Sequence, residues 1–157
     1  MSNVEKMPFE TYLAVINNSV GSKMFSQGFA KIDGKPTDIM RGGELSCAFF
    51  VSSVLTTFGF IKSMHATVTS TVKDLEASGW TKVDTPKIGD VIVWASIAFP
   101  NGEQHEHIGF AVAEDQAVSN DYASGTPQRH SFEQTPDGTA RAIDAVYRGQ
   151  HLFESPN

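Results

Sequence analysis

Cys47 is the only cysteine in the sequence, and its position favours a reactive thiol. It lies where an apolar helical pattern begins, directly after the glycine-containing residues 42–46. The unpaired amides and the dipole of a helix N-terminus favour an anion, so we expect Cys47 to lose its proton below the usual thiol pKa of about 8.5. The thiolate formed in this way is a nucleophile. The alternative interpretation is that Cys47 is a small apolar residue of the core.

His107 is the histidine best placed to assist that thiol. It opens a predicted strand over residues 107–112, soon after the polar loop 100–104, so we expect its ring at the rim of a sheet. An imidazole at a rim can take up a proton and return it. The alternative is an ordinary, partly exposed histidine. The other histidines of the chain are His65, His105, His130 and His151.

A cysteine–histidine pair usually needs a third polar group that holds the imidazole in the correct tautomer. Ser119 and Asn120 lie on the next predicted strand. An even number of loop residues around Asp115 would place Asn120 on the same face as His107, whereas an odd number would place Ser119 there. We favour Asn120, because an amide oxygen accepts the imidazole N–H better than a hydroxyl that can rotate away.

The adjacent residues His105, Glu106 and His107 also raise the question of a metal site, because imidazole and carboxylate both bind zinc. Alternation along a strand would place the two rings on one face and the Glu106 carboxylate on the other. No further cysteine or histidine follows at a recognisable ligand spacing. We therefore expect no metal and no cofactor.

Helical periodicity dominates the first half of the chain. It covers residues 8–20, 46–58 and 67–78, and Gly59 provides a left-handed stop for the central segment. Residues 21–43 are rich in turn formers and predict an ordered loop. The apolar anchors of that loop are expected to be Phe25, Phe29 and Ile32.

Strand-like alternation follows in the second half. The predicted strands cover residues 91–94, 107–112, 117–119, 129–132 and 144–148. Helices followed by an antiparallel meander indicate the α+β class, with the helices packed on a small sheet. Large aromatic side chains at regular spacing are assigned to the core rather than to a ligand. These are Phe50, Phe58, Trp80 and Trp94.

The composition is that of one globular domain over residues 1–157, with 40% hydrophobic and 19% charged residues. A net charge of −6 argues against a nucleic-acid partner, because phosphate binding depends on Lys and Arg. Residues 1–6 do not lead into an apolar segment, and no apolar run could span a bilayer. We expect no membrane partner and a cytoplasmic location after synthesis, with non-classical export as the alternative. The oligomeric state stays open.

Four segments, in this order, resemble the NlpC-type cysteine peptidases and the neighbouring CHAP amidases. They are LSCAFFV at 45–51, PKIGDVIVW at 86–94, EHIGFAV at 106–112 and VSN at 118–120. The resemblance covers residues 41–121. It implies a papain-like domain, in which a helix carrying the cysteine packs on an antiparallel sheet carrying the histidine. Most members cut amide or peptide bonds in bacterial cell-wall peptides.

Carried over by position, the resemblance implies that Cys47 is the nucleophile, His107 the general base and Asn120 the orienting residue. It gives Asp90 a structural role in the turn before the first central strand. One oxyanion donor would be the backbone N–H of Cys47. The family often has a tyrosine nearby, upstream of the cysteine, whereas the only earlier tyrosine here is Tyr12. The expected partner is a peptide or a small amide, with a cell-wall peptide implied by the resemblance alone.

Two other functions remain open from the sequence. An acyltransferase would use the same pair of residues but pass the acyl group to an acceptor other than water. A silent binding or immunity-type module would keep the scaffold without turnover. The sequence SCAF at 46–49, where the family commonly has Asp-Cys-Ser-Gly, supports the silent module.

Overall fold

The computed structural model of the protein describes residues 1–150 and residue 154. His151 lies outside the described residues. In the described part, the helices are α1 (Pro8–Asn18), α2 (Cys47–Thr57) and α3 (Val68–Ala77). The strands are β1 (Phe29–Ile32), β2 (Lys35–Asp38), β3 (Trp80–Val83), β4 (Val91–Ala98), β5 (Gln104–Ala113), β6 (Gln116–Asn120), β7 (Pro127–His130) and β8 (Ile143–Gly149).

The fold is α+β, as the sequence predicts. Six strands form an antiparallel sheet in the order β3-β8-β4-β5-β6-β7, and β1 pairs with β2 in a separate hairpin. Strands β4 to β7 form the expected meander, whereas β8 returns to pair with the other side of β4. None of the helices described here has the length and apolar character needed to cross a bilayer.

Helix α2 packs on the centre of the sheet, against β5 and β6. Phe50 of α2 is fully buried, and its ring meets that of Phe110 on β5 edge to face, with centroids 5.5 Å apart. Tyr12 of α1 packs edge to face on the same Phe110 ring at 5.8 Å. Each buried side chain of this size stabilises the fold by about 1.5–3 kcal/mol. This packing fixes the N-terminal end of α2 against the sheet.

The turn before β4 is held by a buried carboxylate. Asp90 is fully buried, accepts a hydrogen bond from the Lys87 backbone N–H at 2.7 Å and pairs with Arg148 at 2.6 Å. Gly89 has a φ of +95°, and a Cβ there would lie 2.6 Å from the Phe9 ring. The aspartate therefore has the structural position that the family resemblance implies.

Several elements differ from the sequence predictions. Residues 29–38 form the β1–β2 hairpin instead of a loop, and β3 was not predicted. Phe25 is buried, but Phe29 and Ile32 are 68% and 51% exposed, because this two-stranded hairpin is not part of the main sheet. The large aromatic residues assigned to the core are buried or half-buried in it.

Candidate active site

A cavity of about 410 Å³ lies beside the N-terminal end of α2. Its wall includes Cys47 from α2, His107 from β5 and Asn120 from β6. Arg141 completes this part of the wall, from the segment that precedes β8. The fold therefore brings all three residues of the predicted site to one cavity.

Cys47 is the first residue of α2, in the predicted position. Burial raises the pKa of its thiol above the ordinary value. The backbone N–H groups of Ala48 and Ile108 and the charge of Arg141 act in the opposite direction, but burial outweighs them. The prediction of an easily ionised thiol is therefore wrong, because burial outweighs the effect of the helix N-terminus. Because the Ile108 amide is close enough to lower the pKa of the thiol, the sulfur lies next to β5, the strand that also carries His107.

His107 lies inside β5 rather than at the rim of the sheet. The prediction of a rim position is wrong because β5 begins at Gln104, and the side chain is only 9% exposed. Burial is the main cause that lowers the pKa of His107 to about 3, with the charges of Arg141 and His130 acting in the same direction. The imidazole is therefore neutral at pH 7. The Trp94 ring packs beside it, with centroids 5.4 Å apart.

A chain of buried hydrogen bonds leads away from His107. The Ser119 hydroxyl oxygen lies 2.7 Å from His107 Nε2 and 2.6 Å from His130 Nε2. On the far side, His130 Nδ1 lies next to the backbone oxygens of Ser131, at 2.8 Å, and of Gln134. Burial lowers the pKa of His130 as well, so its ring is also neutral at pH 7.

These contacts determine which nitrogen of His107 carries its proton. Carbonyl oxygens only accept, so His130 Nδ1 must hold its proton and donate, which leaves His130 Nε2 as an acceptor. The Ser119 hydroxyl then donates to His130, and its oxygen accepts from His107 Nε2–H. The unprotonated nitrogen of the neutral His107 ring is consequently Nδ1. None of the described residues forms a hydrogen bond with this nitrogen, so it can act as a base.

Asn120 does not have the predicted role. Its Nδ2 donates to the Gly43 backbone oxygen at 2.6 Å, and the contact to His107 is made by Ser119. The choice of Asn120 as the orienting residue is therefore wrong. Asn120 instead joins β6 to the segment that leads into α2, and its Oδ1 is buried without a hydrogen-bond partner in the described part of the chain.

A β-bulge explains this difference. Ala113 pairs with Gln116 across a two-residue loop, and this even number would place Asn120 on the His107 face. The register then shifts, because Ala111 pairs with Ala117 and Val112 is left as an extra residue. One extra residue reverses the alternation of every position beyond it. Ser119 pairs with Gly109 as a result and shares the face of His107.

Two residues of the site were not predicted. His130 closes the hydrogen-bond chain, and Arg141 places a positive charge in the cavity wall. The sequence signal for His130 was a weak strand pattern near residues 129–132, which would have placed it beside β6. Arg141 lies in a segment without periodicity, so no sequence signal pointed to it.

The remaining candidates have other roles. Tyr12 is buried in the core and donates its hydroxyl proton to the Gly89 oxygen at 3.0 Å, so it is not an oxyanion donor. Glu44, which lies three residues before Cys47, is exposed. His105 pairs with Glu103 at 2.7 Å. Among the described residues, no group of three His, Cys, Asp or Glu side chains is arranged to hold a metal ion.

No protein-family model matches this sequence, and no curated protein matches it. The resemblance to the NlpC-type peptidases and CHAP amidases therefore stays a prediction.

Proposed function

We propose that the protein is a cysteine-dependent hydrolase of amide or peptide bonds, with Cys47 as the nucleophile and His107 as the general base. The observation that supports this most is the hydrogen-bond chain from His130 through Ser119 to His107. It leaves Nδ1 of His107 unprotonated, and His107 and Cys47 line the same cavity. This series of hydrogen bonds corresponds to the third member of a catalytic triad, the group that fixes the tautomer of the base.

The first half of the reaction forms an acyl-enzyme. His107 Nδ1 takes the thiol proton as Cys47 Sγ attacks the carbonyl carbon and a C–S bond forms. The resulting imidazolium gives that proton to the leaving nitrogen, and the C–N bond breaks. Backbone N–H groups at the start of α2, those of Cys47 and Ala48, are the donors suited to the negative charge on the carbonyl oxygen.

The second half of the reaction consumes water. His107 Nδ1 accepts a proton from the water that attacks the thioester, and the C–S bond breaks as the acid product forms. The proton then returns to the thiolate of Cys47. Because burial keeps both groups neutral at rest, the proton moves only when the sulfur attacks, in contrast to a preformed thiolate–imidazolium pair.

The fold we propose is papain-like. Its support is the packing of α2, which begins with Cys47, on the antiparallel strands β5 and β6, which carry His107 and Ser119. The sequence resemblance then favours bacterial cell-wall peptides as the substrate class. Turnover of cell-wall peptides, compared with that of simple peptide amides, tests this proposed substrate class.

A silent binding module is the second candidate, and one observation favours it. Burial raises the pKa of Cys47 and lowers that of His107, so neither group is charged at neutral pH. A cavity that only binds a ligand would not require Cys47 or His107 to ionise. The two candidates differ in turnover and in whether removing His107 slows the reaction of the thiol.

The test is turnover of cell-wall peptides and of simple peptide amides in water enriched in ¹⁸O, followed by mass spectrometry. We expect the wild-type protein to release a free amine and an acid that carries ¹⁸O. Cys47→Ser and His107→Ala should lower the rate by on the order of 10³-fold or more, with folded far-UV spectra. A conjugated product without ¹⁸O would indicate acyl transfer. Unchanged turnover in the Cys47 variant would overturn the proposal.

A further inference from the structure

Arg141 is a buried cation that makes no salt bridge with any acidic side chain in the described part of the chain. Its side chain is 7% exposed, and its Nε and Nη1 atoms are sealed from solvent without a hydrogen-bond partner in the described part of the chain. The charge of Asp137 acts on Arg141 from the same cavity wall, but its carboxylate forms no salt bridge with the guanidinium. The Asp137 carboxylate instead accepts hydrogen bonds from the Thr135 hydroxyl at 2.7 Å and from the Thr139 N–H at 2.9 Å.

The backbone holds Arg141 in this position. Its N–H donates to the Glu133 oxygen at 3.0 Å, at the base of a loop over residues 133–141. The loop is closed further by the pairing of Gln134 with Ala140. Burying an unpaired guanidinium is strongly unfavourable, so buried arginines are normally paired. A residue fixed in this state in a cavity wall is suited to a ligand that supplies the missing charge.

We infer that Arg141 binds a carboxylate group of the ligand that occupies this cavity. A guanidinium has the planar, forked geometry that matches a carboxylate. A more highly charged phosphate group fits less well, because Arg141 is the only lysine or arginine in the described cavity wall. The same wall also contains acidic residues, namely Glu44, Glu106, Asp121 and Asp137.

Asn120 supplies a second observation that points to the same class of ligand. Its Oδ1 is buried and has no hydrogen-bond partner among the described residues, and Asn120 lies in the same wall. An amide oxygen accepts hydrogen bonds, so it is suited to an N–H donor. A carboxylate and an N–H group together describe an N-acylated amino acid or a peptide. That this ligand is the substrate rests on the proposed function, whereas the carboxylate site does not.

The first test uses Cys47 as a reporter of charge in the cavity and requires no turnover. The rates of alkylation by iodoacetate and by iodoacetamide are compared at one pH and ionic strength, with the urea-unfolded chain as the reference for the intrinsic ratio. We expect the folded protein to favour the anionic reagent about tenfold more than the unfolded chain does. Arg141→Gln should remove this preference, and Arg141→Lys should retain part of it.

Arg129→Gln is the matched control. It makes the same substitution and removes the same charge at an exposed position of β7, outside the cavity wall. It should leave the ratio of the two rates unchanged. An equal ratio in the wild-type protein and in a folded Arg141→Gln variant would overturn the inference.

A second test uses only the wild-type protein, so it does not depend on the folding of a variant. Propionate should protect Cys47 from iodoacetamide in a saturable manner, whereas propionamide, its neutral counterpart, should not. Equal protection by both compounds, or by neither, would contradict the carboxylate site. Protection by propionate together with an absence of turnover would keep the carboxylate site and reject the proposed hydrolase. Turnover without protection by propionate would support the proposed hydrolase and reject the carboxylate site.

Discussion

The Ser119 hydroxyl lies 2.7 Å from Nε2 of His107, and both groups are buried. The contact crosses from β6 to β5 over Gly109, which pairs directly with Ser119. Because His130 Nε2 also needs the Ser119 proton, the hydroxyl cannot rotate away from its position between the two rings. The hydrogen bond to His130 therefore fixes the Ser119 hydroxyl, so this hydroxyl can orient the His107 imidazole.

Ser119→Ala should lower kcat/KM by roughly 10- to 100-fold, mainly through kcat. The change leaves His107 Nε2–H buried without an acceptor, so the ring no longer holds the tautomer with a free Nδ1. Steady-state kinetics on the peptide substrate check this. Asn120→Ala should instead raise KM and lower stability, since Asn120 touches Gly43 and not His107.

Ser96→Ala is the control for loss of a serine hydroxyl, because Ser96 is exposed and lies outside the cavity wall. It should leave kcat and KM unchanged. If Ser119→Ala behaved like Ser96→Ala while Asn120→Ala lost kcat, the orienting role would belong to Asn120 after all.

His130→Ala should change the proton position on His107 without contacting the cavity sulfur. Nitrogen chemical shifts of the His107 ring report the tautomer directly, and we expect an Nε2–H form in the wild-type protein and a mixture in the variant. His130→Gln should restore part of the kcat, because its amide oxygen can accept from Ser119. If His107 kept a single Nε2–H form in His130→Ala as well as in His130→Gln, the hydrogen bonds from Ser119 to His130 would not determine its tautomer.

The sequence predicted the central elements of this site because their signals are local. Cys47 begins a helix whose apolar spacing and Gly59 stop are clear, and His107 begins an apolar run of strand-forming residues, 108–112. Both patterns depend only on residues near them in the chain. Placing the helix against the sheet then follows from burying the two apolar faces.

The orienting residue could not be predicted in the same way. The loop parity was left open by the sequence, and Asn120 was favoured for its amide oxygen. The even loop would place Asn120 on the His107 face, but the bulge at Val112 places Ser119 there, and no local signal distinguishes that valine from its neighbours. The position of Arg141 depends on the loop over residues 133–141, which contributes Thr135, Pro136 and Asp137 to the cavity wall as well. Such contacts are set by tertiary packing, so the pKa of Cys47 expected for a helix N-terminus was opposite to the one found.

Gly109→Ala should disrupt the site by separating two strands. A Cβ at this position would lie 2.6 Å from the Ser119 Cβ and 2.7 Å from the Val118 oxygen. We expect the free energy of unfolding to fall by about 1–3 kcal/mol in urea titrations, together with a loss of kcat. Gly28→Ala is the control, because its Cβ would meet the flexible Met40 side chain at 3.1 Å. Equal stabilities of the two variants would contradict the close approach.

Acid should destabilise the protein through His107. Its pKa is about 3 in the folded chain and near 6.5 when unfolded, so between these values the unfolded chain binds a proton that the folded chain does not. The free energy of unfolding therefore falls as the pH falls from 6.5 towards 3, by up to ~1.4 kcal/mol per pH unit for this group. His130 adds to the effect in the same direction.

Urea titrations between pH 7 and 5 separate this contribution from that of the carboxylates, such as Asp74 and Glu103, whose lowered pKa values of about 2 act at more acidic pH. In His107→Gln the slope of stability against pH should decrease. A slope equal to that of the wild-type protein would mean that His107 is protonated without unfolding.

Arg141→Gln should raise the pKa values of both Cys47 and His107. A positive charge favours the thiolate and disfavours the imidazolium, and Arg141 acts on both groups in these directions. The pH profile of Cys47 alkylation by iodoacetamide should move to higher pH, and the His107 ring should titrate at higher pH in NMR spectra. Arg129→Gln should move neither profile. A shift at only one of the two groups would show that Arg141 does not face the thiol and the imidazole together, because one charge in a shared cavity must act on both.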